Sequence, residues 1–159
     1  MWLAKYHRNT EIVKLILDFS QENDAIDLNA RDKRGMTAFH MTCKNGYTEI
    51  VKLILDFSQE NDVIDLNATD HIGLGMTGFH QACRNGQTET VKLILDFSQE
   101  NDAIDLNVRD NEGMTGFDMA CMNLHTKTAK LILENWKEFG IDIKIQDNDA
   151  ETILDLSRG

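Results

Sequence analysis

Val13 to Asn29 reads VKLILDFSQENDAIDLN, Val51 to Asn67 reads VKLILDFSQENDVIDLN, and Val91 to Asn107 reads VKLILDFSQENDAIDLN. One position in the seventeen differs, so the chain is a repeat, and its architecture follows from that before any other property. A second block alternates with the first: GMTAFHMTCKNG from Gly35, GMTGFHQACRNG from Gly75 and GMTGFDMACMNL from Gly113. Thr37, Thr77 and Thr115 are 40 and 38 residues apart, and the two extra residues fall in His71-Ile72-Gly73-Leu74.

Each unit reads as two helices. Thr37 is a good N-cap for a short helix reaching about Lys44, because its hydroxyl can accept a backbone N–H of the first turn. Gly46 and Gly86 supply the left-handed turn that ends it. Thr48 is expected to cap a longer helix, with Glu49 at its positive end. Ile50, Val51, Leu53, Ile54, Leu55 and Phe57 cover most of that helix's circumference, so it must lie between neighbours. Ile64 to Asn67 is an extended alternation leading into a turn. One unit cannot bury such a pair, and stacking is required.

These residues resemble the ankyrin repeat, with its D-x-x-G-x-T-P-L-H-x-A-A-x-x-G block and leucine-rich second helix. Asp32, Gly35, Thr37, Phe39, His40, Cys43 and Gly46 match in order and spacing, as do Asp27, Leu28, Asn29 and Ala30. The resemblance implies an α-dominated repeat solenoid of helix-turn-helix units joined by β-hairpin-like loops. It covers residues 1–159 as one domain: a partial repeat at 1–34, repeats at 35–72, 73–112 and 113–146, and a partial repeat at 147–159.

There are departures. The proline of the family motif is replaced by Ala38, Gly78, Gly116 and Ile153. The period exceeds the usual value of about 33 residues. We read the five extra residues as one more helical turn and a polar loop, with Asn23, Asn61 and Asn101 as left-handed stops. Trp2 to Tyr6 reads as the tail of a first helix, and Thr152 to Ser157 as a first helix of one more unit. In the third repeat His becomes Asp118 and the turn glycine becomes Leu124, so that turn is strained or re-formed.

Composition narrows the function. The 159 residues are 42% hydrophobic and 27% charged, which fits a globular chain. The net charge of −11 argues against nucleic acid and anionic membranes as partners. Three cysteines and no apolar leader imply reduced thiols and a cytoplasmic or nuclear setting.

His40-x-x-Cys43 and His80-x-x-Cys83 have a metal-ligand look. In the resembled family, however, this histidine bonds the capping threonine and the neighbouring backbone. Each cysteine replaces a small core residue. The acids Asp18, Glu22, Asp24 and Asp27, with their two sets of equivalents, lack calcium-loop spacing and read as a solvated ridge. The resemblance implies that Asn29, Asn67 and Asn107 could be hydroxylated, but the insertion alters their distance from the upstream leucines and argues against it. No catalytic set stands apart from the repeat, so neither an enzyme nor a cofactor is expected.

The expected function is a protein–protein interaction scaffold. The alternatives are a self-associating structural module and a targeting or inhibitory piece of a larger protein. The resemblance places the partner at the hairpin tips and the concave short-helix face. Those positions are Lys33, Arg34, Met36, Met41, Lys44 and Asn45 in the first repeat, and His71, Met76, Gln81, Arg84 and Asn85 in the second. In the third they are Asn111, Glu112, Met114, Met119, Met122 and Asn123. Met36, Met76 and Met114 should line up as a stripe beside basic residues and take an acidic, partly apolar segment. Weak head-to-tail association through the ends is also expected.

Overall fold

The computed structural model describes residues 2–23, 26–71 and 73–143, with side chains from residue 9 onward. Among them are seven helices: α1 (Trp2–Glu22), α2 (Ala38–Asn45), α3 (Thr48–Asn61), α4 (Gly78–Arg84), α5 (Thr88–Asn101), α6 (Gly116–Met122) and α7 (Thr126–Asn135). The short helices α2, α4 and α6 stack in one layer, and the long helices α1, α3, α5 and α7 in a second. No strand occurs among the described residues. The joining loops are turns.

Each short helix starts as its sequence dictates. Thr37, Thr77 and Thr115 are extended N-caps, and each hydroxyl accepts from the backbone N–H three residues on. Gly46 and Gly86 close the first two short helices in the left-handed region, at φ 67° and 64°. The long helices start differently from expectation. Thr48 is already helical, and the cap is Tyr47, which makes no side-chain cap bond. The Thr48 hydroxyl instead meets that of Thr90 at 2.9 Å, tying α3 to α5, and Thr88 meets Thr128 at 2.8 Å.

The left-handed stop also moves by one residue. Asp62 and Asp102, at φ 47° and 49°, end α3 and α5. Asn61 and Asn101 stay helical, and their amides donate to the carbonyls of Phe57 and Phe97. Asn23 likewise donates to the Phe19 carbonyl. Nor is Trp2–Tyr6 a separate helix, because α1 runs unbroken to Glu22. The expected helix at Thr152–Ser157 lies outside the described residues.

The core repeats with the sequence. Phe39, Phe79 and Phe117 are fully buried beneath the short helices. Val51, Leu55, Val91, Ile94 and Leu95 face them from the long ones. Gly78 and Gly116 stand where the family has proline. A Cβ on Gly78 would lie 2.6 Å from the Phe39 ring, and one on Gly116 2.5 Å from that of Phe79. The missing side chain is what lets each phenylalanine slide under the next unit.

On the loop edge, asparagines stitch the units. Asn29 donates to the Val63 carbonyl and accepts from Asp65 N, both at 2.8 Å. Asn67 does the same to Ala103 and Asp105, and Asn107 to Gly140 and Asp142. Both ends of each amide are occupied.

Candidate partner-binding face

Each hairpin tip is organised by one carboxylate. Asp32 Oδ1 accepts from the N–H groups of Arg34 and Met36 at 2.8 and 2.9 Å. These backbone bonds, and to a lesser extent the Arg34 charge, hold its carboxyl below the usual carboxylate range. Asp70 accepts from Gly75 and Met76, and Asp110 from Glu112 and Met114. The two extra residues of the second tip thus lengthen its loop and move the first bond to Gly75, while the bond to the methionine is kept. Neighbouring tips are bonded: Arg31 donates to the carbonyls of Gly35 and Thr69, and Asn111 N donates to that of Leu74.

The tips and short helices expose part of the expected set. Lys33, Arg34, Asn45, His71, Arg84, Asn85, Asn111, Glu112 and Asn123 are exposed, and Lys44 is half-buried. Met41 and Met122 are 42% and 58% exposed. The remaining positions correct the sequence reading. Met36, Met76, Gln81 and Met119 are 3–5% exposed and belong to the interior. Met114 is half-buried against the core. The stripe of equivalent methionines therefore fills the space beneath the tips and does not face a partner. The cause is local: the residue before each capping threonine has its backbone tied to the tip carboxylate, which turns its side chain inward. Gln81 is held inside by its amide, which donates to Asp70 Oδ2. Asn45, Asn85 and Asn123, though exposed, each donate to the carbonyl four residues back and finish their helices.

The histidines are structural. His40 Nε2 is 2.9 Å from the Met76 carbonyl, which can only accept, so Nε2 carries the proton. Nδ1 then accepts from the Thr37 hydroxyl and N–H. His80 repeats this with Met114 and Thr77. Both ring nitrogens are occupied, and burial pushes both histidine pKa values down. Cys43, Cys83 and Cys121 are buried, and burial raises the Cys43 and Cys83 thiols far above the reactive range. No group of three or more His, Cys, Asp or Glu side chains gathers as a metal site among the described residues.

A family model described as ankyrin repeats, in three copies, matches residues 1–71 and 59–147. The chain belongs to the ankyrin repeat family. Ankyrin repeats are in general protein–protein interaction modules, and the helical stack here is theirs. No curated protein matches the chain. Among the described residues of this ankyrin array, no helix is long and apolar enough to cross a membrane.

Sequence reading passed over two features of the array. One is the asparagine stitching, whose signal was the invariance of Asn29, Asn67 and Asn107. The other is the bare outer face of α1, where Ile12, Leu15, Ile16 and Phe19 are 42–68% exposed. Its signal was present too: the same residue types that are covered in the other copies are exposed here.

Proposed function

We propose that this ankyrin array is a non-catalytic adaptor that binds an acidic, partly apolar protein segment on the tip and short-helix side. The supporting observation is where variation falls. Most short-helix core positions repeat between units, Phe39, Phe79 and Phe117 and the three cysteines among them, although His80 becomes Asp118 and Gln81 becomes Met119. The exposed short-helix positions do change, with Lys44, Arg84 and Met122 in equivalent places. Lys33, Arg34, Lys44 and Arg84 lie on this side with Met41 and Met122; the tip carboxylates Asp32, Asp70 and Asp110 accept from tip backbone N–H groups, and Asp56, Glu60, Asp96 and Glu100 lie on the long helices. Net charge of −11 thus conceals a locally basic patch that would steer an acidic partner.

Cross-linking mass spectrometry on the full chain tests this. Partner cross-links are expected at Lys33 and Lys44 and not at Lys52 or Lys92, which pair with Asp56 and Asp96 on the long helices. Arg34→Glu with Arg84→Glu should keep the circular dichroism spectrum and lower affinity at least tenfold. Cross-links confined to Lys52 and Lys92, or unchanged affinity, would overturn the reading.

A further inference from the structure

We propose that the groove between the ends of α3 and α5, on the loop edge, binds an arginine side chain carried on an extended segment of a partner protein. Three equivalent grooves lie in a row along this edge, with volumes of about 310, 440 and 310 Å³. The middle one, between α3 and α5, is the largest. It shares no residue with the tips or the short helices, so it is separate from the adaptor face proposed above.

Three side chains set the middle groove apart. Ser20 and Ser98 donate to the carbonyls of Leu17 and Ile94. Their equivalent Ser58 lines the middle groove, is 8% exposed, and has no partner for its hydroxyl among the described residues. Among those residues the one wholly enclosed side-chain oxygen without a partner is Asp110 Oδ2, so the Ser58 oxygen keeps an opening, into the groove it lines. Gln21 donates across to Asn61 and Gln99 to Glu138, but Gln59 makes no such bond. Asn101 at the groove wall spends its amide nitrogen on the Phe97 carbonyl and keeps Oδ1 free. Val63 is the one position of the seventeen-residue repeat that differs, against Ala25 and Ala103, and it is 51% exposed at the groove.

Charge selects a cation as the occupant. Asp62 and Asp65 line the groove, and the ion pairs among the described residues involve neither. No lysine or arginine lines any of the three grooves. Helices α3 and α5 bring their negative ends here with no basic residue in the last turn. A guanidinium suits the site better than an ammonium, because its planar fork of N–H donors can serve a carboxylate, Ser58 Oγ and Asn101 Oδ1 together. The exposed Val63 side chain gives its aliphatic stem a surface. Successive grooves follow at the separation of packed helices, about 8–10 Å. One turn of a polyproline II segment rises about 9 Å and returns every third residue to the same side. A partner segment with an arginine at every third residue therefore meets successive grooves, whereas a small free cation uses only one.

Fluorescence anisotropy of the full chain with a labelled peptide of four Arg-Pro-Pro repeats tests this, in about 0.15 M salt, where attraction between distant exposed charges is screened. Binding is expected, and Asp62→Asn with Asp65→Asn should weaken it at least tenfold. Asparagine tolerates the left-handed φ of Asp62 and keeps the oxygen that Asn67 N bonds on Asp65, so the fold is retained. Asp102→Asn with Asp105→Asn removes the same charge from a smaller groove and should cost less than threefold. Val63→Ala and Ser58→Ala should each weaken binding about threefold. Arg34→Glu with Arg84→Glu should not weaken it, which separates this site from the adaptor face. The peptide with citrulline in place of arginine should not bind. No binding of the arginine peptide, equal losses from the two asparagine pairs, or equally strong binding of free spermine would each overturn the inference.

Discussion

The second and third units cap their short helices alike, and among their differences three side chains bear on how those caps are bonded. Thr77 and Thr115 cap α4 and α6 in the same way. Three residues on, the second unit has His80 and the third Asp118. Both accept from their threonine, with Thr115 N and Oγ1 lying 2.7 and 2.8 Å from Asp118 Oδ2. Only the histidine also carries a donor across to the next unit, at the Met114 carbonyl. Gln81 gives Asp70 Oδ2 a donor, whereas Met119 in its place leaves Asp110 Oδ2 buried without one. Gly86 becomes Leu124, which keeps a left-handed φ of 58°. The cap within a unit tolerates such exchanges, but the bonds between units do not. The second unit is thus bonded to the third through His80, whereas Asp118 carries no such donor onward from the third.

The largest test is to remove the two cap partners. His80→Ala strands the Met114 carbonyl and the Thr77 donors, and should cost about 3 kcal/mol in urea unfolding. Asp118→Ala also relieves a buried carboxylate and should cost about half of that. Equal losses would mean that the inter-unit bond contributes nothing. Next in size is the space beneath each phenylalanine. Gly116→Ala should destabilise by about 2 kcal/mol, as overpacked sites do. Ala38→Gly, at the open equivalent, should change stability by under about 1 kcal/mol.

Proton linkage separates the units in another way. Burial is the main cause of the lowered His40 and His80 pKa values, opposed by the Met76 and Met114 carbonyls and by Asp70 and Asp110. The unfolded histidine titrates near the ordinary histidine value of 6.5. Below that pH the unfolded chain binds more protons than the folded one, so stability is full above it and falls as pH drops toward the folded values. Denaturant midpoints between pH 7.5 and 5 should show the fall, and His40→Asp with His80→Asp should abolish it. A wild-type midpoint that is flat over this range would contradict the buried neutral rings.

The smallest effects are gains. Leu124 is 76% exposed and makes no packing that Leu124→Gly would lose, so relief of its φ should add up to about 1 kcal/mol. Met119→Gln should give Asp110 Oδ2 the donor that Asp70 has, adding roughly 0.5 kcal/mol. A loss in thermal midpoint for Met119→Gln would show that the methionine's packing outweighs the orphaned oxygen.

Much of this was legible in the chain. Repetition of VKLILDFSQEND fixed the number of helix pairs among the central units, Thr37 and its equivalents marked the short-helix starts, and Leu124 announced the awkward turn. The misreadings were positional. Thr48 was read as a cap, Asn61 as the stop, and Met36 and Met76 as surface. In each case the residue type suits either role: the neighbouring unit chooses for Thr48, and bonds within the unit choose for Asn61 and the methionines.

The repeat, its two-helix unit, the need to stack and the charge balance were determined by sequence alone, because they depend on residue spacing within one unit. Which side of each residue meets water was decided only by the tertiary structure. Ile16 and Ile54 sit in the same local sequence, yet one is open and the other covered. Burial is a property of what lies across the gap, and in a solenoid that is always the next unit.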